Sequence, residues 1–144
     1  MSVLRTLCSD FVTVGKDVST GDAARLMSEK KIGSLVIVEG DALVGIFTER
    51  DLMNKVVSEK KDPETTLVKD VMTTSLVTAE VEDSILEVLE KMGEHHIRHL
   101  PLLNGEQKPV GMLTMRQLHN HHLQELQQEN EVLTALIVTD GPGG

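Results

Sequence analysis

Two short segments hold the residue types best suited to ligand chemistry. Thr48-Glu49-Arg50-Asp51 follows the apolar run Leu43-Val44-Gly45-Ile46-Phe47, and Thr114-Met115-Arg116-Gln117 follows Val110-Gly111-Met112-Leu113. In each, a run expected of a buried strand delivers a threonine to the start of a helix, with a polar side chain three residues on. A helix start carries unpaired N–H groups and partial positive charge, so it welcomes phosphate, and a threonine hydroxyl adds a donor. Arg50 stands within reach of a phosphate, and the Asp51 carboxylate can accept two charge-assisted hydrogen bonds from a cis-diol such as ribose. Those preferences describe a nucleotide. The same spacing is also close to a capping box, in which the two side chains satisfy only backbone N–H groups. Thr114 and Gln117 form a capping box by the same definition. The capping role is thus served in both segments, whereas the anionic acceptor exists only in the first.

The elements that must position these turns occur twice. Thr13 and Thr78 are 65 residues apart, as are Met27 and Met92, and the offset becomes 66 from Thr48 to Thr114. The extra residue falls in the turn Asn104-Gly105-Glu106-Gln107-Lys108-Pro109. A duplication this short predicts two half-domains folded against a shared seam. Each copy reads strand, helix, strand, strand, helix, so the fold class is α/β (α+β), built of tandem βαββα repeats. Ser19 or Thr20 can cap a helix through Ala23, Ala24, Leu26 and Met27, with Asp22 favourable in its first turn. Its counterpart begins near Asp83 and buries Ile85, Val88, Leu89 and Met92. Leu35 to Val38 and Leu43 to Phe47 form a hairpin around Glu39-Gly40-Asp41; Leu100 to Leu103 and Val110 to Leu113 form the second. The first repeat spans 3–60 and the second 68–123, with a charged, Pro63-containing linker at 61–67. Val3, Leu4 and Leu7 mirror Val68, Val71 and Met72, so each copy is expected to begin with its own lead-in turn. Residues 124–144 comprise a C-terminal amphipathic helix, with Leu126, Val132, Leu133, Leu136 and Ile137 on its apolar positions, and a loose tail from Asp140.

Bulk properties exclude several functions. The 144 residues carry a net charge of −9, and there is no Trp or Tyr and only Phe11 and Phe47. Nucleic-acid binding relies on basic stripes and aromatic platforms, so nucleic acid is not the expected partner. No apolar run approaches the ~20 residues that span a bilayer. The single cysteine, Cys8, rules out an intramolecular disulfide, and the expected address is the cytoplasm.

The order helix-with-Met, then Ile97-Arg98-His99-Leu100-Pro101-Leu102, then Gly-hydrophobic-x-Thr-x-x-Asp, with Val71-Met72-Thr73 between the copies, resembles a pair of CBS (cystathionine beta-synthase) domains over residues 3–123. The resemblance implies a pseudo-twofold sandwich that dimerises through its helices and binds adenine nucleotides in two composite clefts. By position, the primary cleft would join Thr48, Arg50, Asp51, Lys30 and Lys31 to Thr78, Ile97, Arg98 and His99. The secondary cleft would join Thr114, Arg116, Gln117, His95 and His96 to Thr13, Val18, Ile32, Gly33 and Ser34. Gln117 departs from the family pattern, which makes the Asp51 cleft the expected primary site.

The remaining constellations are bland. His95, His96 and His99, and His119, His121 and His122, lack a Cys to complete a metal set, and no metal is expected. The methionines fill core gaps. Cys8 has no His or Asp neighbour to activate it. No catalytic centre is found, so the chain is not expected to be an enzyme or to require a cofactor. The leading reading is a regulatory or sensor module with an adenine nucleotide as ligand: AMP, then ADP or ATP, with NAD or S-adenosylmethionine as larger options. The alternative is a structural dimerisation adaptor whose sites have decayed. The regulated protein and pathway are not legible.

Overall fold

The computed structural model describes residues 2–139; the tail expected to be loose, from Asp140, lies outside the described residues. The first half runs α1 (Val3–Leu7), β1 (Thr13–Gly15), α2 (Thr20–Lys30), β2 (Ser34–Glu39), β3 (Ala42–Thr48) and α3 (Glu49–Asp51), which passes into a π-helical segment, Leu52–Val57. The second runs α4 (Val68–Val71), β4 (Ala79–Glu80), α5 (Ile85–His95), β5 (His99–Leu103), β6 (Pro109–Thr114) and α6 (Met115–Thr139). There are two three-stranded sheets, β1-β2-β3 and β4-β5-β6. In each, the first strand pairs parallel and the last antiparallel to the middle one. Each hairpin also shifts register at the same place, Ile37/Val38 and Leu102/Leu103. The duplication therefore extends to the irregularities.

Helix boundaries follow from local chemistry. Ser19 accepts from the Asp22 N–H and caps α2, and Ser84 forms a capping box with Glu87 at α5. Both helices end on a left-handed residue that is not glycine, Lys31 (φ +56°) and His96 (φ +54°). Such a conformation costs a side chain about 1–2 kcal/mol. It lets Ile32 N–H reach Met27 O and Ile97 N–H reach Met92 O, both at 3.0 Å, so the chain turns at once into the next strand.

Each copy does begin with its own lead-in turn, but each turn packs into the core of the other repeat. Leu4 of α1 is fully buried in the second-repeat core with Val88, Met92, Leu100, Leu113 and Leu118. Val68 and Val71 of α4 are buried in the first-repeat core with Met27, Leu35, Ile37 and Phe47. Backbone bridges fix the exchange: Ser9 pairs with Met112 of β6, and Thr73 pairs with Ile46 of β3. The two central glycines allow it. A Cβ at Gly45 would lie 2.5 Å from Met72 Sδ, and one at Gly111 would lie closer still to Cys8 Sγ. A third cluster of Val36, Ile46 and Met112, flanked by Phe11, Val38, Leu43 and Leu76, joins the sheets across the seam.

The linker is not a free tether. Fully buried Thr20 donates from its hydroxyl to Pro63 O at 3.1 Å, Gly21 N–H donates to the same carbonyl at 2.8 Å, and Arg25 pairs with Glu64 at 2.9 Å. The C-terminal helix α6 packs on α5 and β6 through its first turns, with Leu118 fully buried. Beyond that, Leu123, Leu126, Val132, Leu133, Leu136 and Ile137 are exposed. Among the described residues no helix is long and apolar enough to cross a membrane.

Candidate functional site

Thr48 and Asp51 do form a capping box. Asp51 N–H donates to Thr48 Oγ1 at 3.1 Å, and Thr48 N–H donates to Asp51 Oδ2 at 3.0 Å. The carboxylate does more than cap. It is buried, accepts the Thr73 hydroxyl at 3.1 Å and pairs with Lys55 Nζ at 2.9 Å. Lys55 also donates to Val71 O at 3.0 Å, tying the ion pair to the crossed lead-in. Lys55 lies four residues after Asp51, a spacing that favours such pairs, so it was legible in principle. Thr73 was visible only as part of a motif, because its partnership depends on the exchange.

Thr48, Asp51 and Thr73 of this cluster line a cleft of about 580 Å³ between the repeats. Ile46, Met53, Val77 and Ile97 supply apolar surface, and Arg50, His96, Arg98 and His99 supply its nitrogen-bearing side chains. Arg50 spans the seam by donating to His96 O at 2.8 Å. Aliphatic surface suits a flat heterocycle, the hydroxyls and carboxylate suit a sugar, and the cations suit phosphate.

The structure distributes the candidate residues in a particular way. Thr48, Arg50, Asp51, Ile97, Arg98 and His99 come together in this cleft. Lys30 and Thr78 do not line it; Lys30 is exposed at the end of α2, Thr78 O accepts from Lys91 Nζ, and Val77 takes the wall position. The basic residues at the left-handed turns exchange places relative to the positional carry-over. His96 lines the Asp51 cleft, whereas Lys31 lines the other one with Ile32, Gly33, Ser34 and Thr114. His95 bonds Lys91 O and stays outside, and Lys31 is exposed.

The second cleft is smaller, about 210 Å³, and Phe11 lines it. Gln117 sits behind Thr114, accepting its N–H at 3.3 Å while donating from Nε2 to the Ser9 hydroxyl. The scaffold matches that of the first repeat, but the hydrogen bond runs the other way. Thr73 donates to a carboxylate; Ser9 accepts from an amide. Thr13 lies on β1 outside the cleft, Val18 packs against the first-repeat core, and Arg116 lines a neighbouring groove on the helical side.

His99 borders both clefts. Burial holds its imidazole below the ordinary value of 6.5; Glu49 pulls it up and Arg98 pushes it down. Between the lowered folded value and 6.5, the unfolded chain binds more protons, so stability falls as pH drops through that window and levels off below it. His99→Gln should flatten the dependence of the urea midpoint on pH just below the ordinary histidine value of 6.5. An unchanged slope would assign it to other groups. The Cys8 thiol is also pushed up by burial and donates to Arg5 O, which leaves it a poor nucleophile.

The CBS domain family model matches twice, over residues 4–58 and 68–122. The chain is a CBS domain pair. An uncharacterised protein of Methanopyrus kandleri is 36% identical over 110 residues, 76% of this chain and 56% of that protein. A mitochondrial CBS domain-containing protein of Arabidopsis thaliana is 32% identical over 123 residues, 79% of this chain and 59% of that protein. The chain thus spans a little over half the length of these curated relatives. Among solved structures, a protein with CBS domains from Burkholderia ambifaria superposes with a TM-score of 0.78 at 33% identity, covering 86% of this chain and 95% of that one. A CBS domain protein from Pyrobaculum aerophilum, solved with AMP, shares the fold at 21% identity (TM-score 0.73; 81% and 89% covered). Another, solved with 5′-methylthioadenosine and S-adenosylmethionine, shares it at 23% identity (TM-score 0.76; 87% and 98% covered).

Proposed function

We propose that this CBS pair is a non-catalytic regulatory module whose Asp51 cleft binds an adenine nucleotide, AMP ahead of ADP and ATP. The observation that carries the reading is the composite cleft, in which the Thr48–Asp51–Thr73 cluster, an aliphatic wall and a rim of Arg50, Arg98 and His96, with Glu49 beside them, meet across the seam. Adenine lies between Ile46, Val77 and Ile97, the ribose faces Asp51, and the phosphate faces Arg50, Arg98 and His96. Family members solved with AMP or adenosyl ligands support that chemistry. The nucleotide is a regulatory ligand and no further cofactor is required. Ligand binding ties the repeats together and biases a cytoplasmic homodimer, joined through the CBS helices, toward one geometry for a signalling partner.

One observation favours a second reading. Asp51 is already engaged by Lys55, Thr73 and Thr48 N–H, as it would be in an adaptor whose site is purely structural. A thermal-shift panel separates the two. A nucleotide at about 100 times its Kd stabilises a binding site by about 2.7 kcal/mol, whereas an adaptor gives no shift with AMP, ADP, ATP, NAD or S-adenosylmethionine. A response confined to the larger adenosyl ligands would replace AMP as the ligand.

A further inference from the structure

The exposed half of α6 carries a strict 3-4 alternation: His119, Leu123, Leu126, Asn130, Leu133 and Ile137. These positions fall on one stripe of the helix, as a and d sites of a heptad, with Leu123, Asn130 and Ile137 at a and Leu126 and Leu133 at d. The four apolar members are 48–71% exposed. A stripe with this period supercoils against another helix, and a lone Asn at an a position states which one. In a parallel, in-register pair a faces a, so the two Asn130 carboxamides meet and bond each other. In an antiparallel pair a faces d, and each amide would be buried against leucine without a partner. The flanking positions agree. Parallel pairing sets His122 against Gln127 and Glu129 against Thr134, with no like charges opposed.

We infer that α6 pairs in parallel with α6 of a second copy of this chain, through the Leu123–Ile137 seam. Two heptads bury less than the roughly 1,200 Å² of a standard interface, so the seam acts on copies already held together by their bodies, where its effective concentration is high. In this the inference rests on the homodimer proposed above. The body provides a continuation of the stripe: His119, a d position, also lines a groove of about 850 Å³ between Met27, Leu52 and Met115. The parallel seam places both copies' bodies at the same end, so a change in either body is felt at the other.

The test is cross-linking in the full chain with Cys8 replaced by Ala. Leu133→Cys puts a thiol at a d position, and Gln128→Cys puts one on the outer face. Mild oxidation should cross-link Leu133→Cys at least about tenfold faster than Gln128→Cys, and adding Asn130→Leu should reduce that preference by loosening the register. Sedimentation of the untagged chain reports the homodimer separately. A dimer in which the two cysteines react equally overturns the seam alone; a monomer overturns the homodimer and the seam with it.

Discussion

Asp51→Ala is expected to weaken AMP binding by about 30- to 100-fold, while Gln117→Ala changes it by less than about threefold. A hydrogen bond to a charged group contributes about 1.5–3 kcal/mol net, which corresponds to one to two orders of magnitude in Kd. Truncation also leaves the Thr73 hydroxyl and Thr48 N–H without their acceptor, at an expected further cost of about 1–3 kcal/mol in folding stability. Asp51→Asn keeps an acceptor for Thr48 N–H and removes only the charge, so it should fold nearly as well and still lose most of the affinity. Isothermal titration of the three variants with AMP checks this. Equal loss at Asp51 and Gln117 would mean that the two clefts are equivalent, and loss at Gln117 alone would place the ligand in the other cleft.

The asymmetry behind that expectation extends past one residue. Where the first repeat has Asp51 followed four residues later by Lys55, the second has Gln117 followed by His121, and His121 bonds Glu125 instead. Carboxylate and counter-ion are present together or replaced together. The π-helical segment that carries Lys55 has no counterpart in α6, which continues as a regular helix; π segments recur at functional sites. A carboxylate offers about four acceptor positions, and Thr48, Thr73 and Lys55 occupy three. A ribose diol must therefore use the remaining position or displace Lys55, whose side chain is 42% exposed and whose release would also break its bond to Val71 O.

Much of this was legible in the residues. Alternation and apolar runs located the strands, and the serine caps and Met spacing located α2 and α5. The capping boxes at Thr48 and Thr114 followed from spacing alone. What escaped was the traffic across the seam. Segments such as Val3–Leu7 and Val68–Val71 are one turn long, and their apolar residues show that they are buried without showing against what. The only local hint was a glycine in each last strand, Gly45 and Gly111, where a side chain would collide with the incoming Met72 or Cys8. The exchange of His96 and Lys31 between clefts escaped for a similar reason. Sequence proximity places each beside its own repeat's helix end, whereas a pseudo-twofold seam makes the opposite repeat the nearer neighbour.

Leu4→Ala tests that exchange directly and should cost about 2–5 kcal/mol of stability, as for a fully buried leucine. At about 2–4 °C per kcal/mol for a chain of this size, that lowers Tm by roughly 4–20 °C. The position of Leu4 in the sequence would assign the loss to the first repeat; its packing assigns it to the second. A double-mutant cycle decides between them. Leu4→Ala should couple to Leu113→Ala, which shares its core, by about 0.5–3 kcal/mol, and be additive with Phe47→Ala, which does not. The reverse pattern would mean that each lead-in serves its own copy. If the coupling is as expected, neither repeat is complete without a segment that precedes the other, so neither half unfolds without disrupting its partner. The clefts then lie on a seam that the chain itself holds shut, and a nucleotide bound there as proposed would reinforce a link already built into the fold.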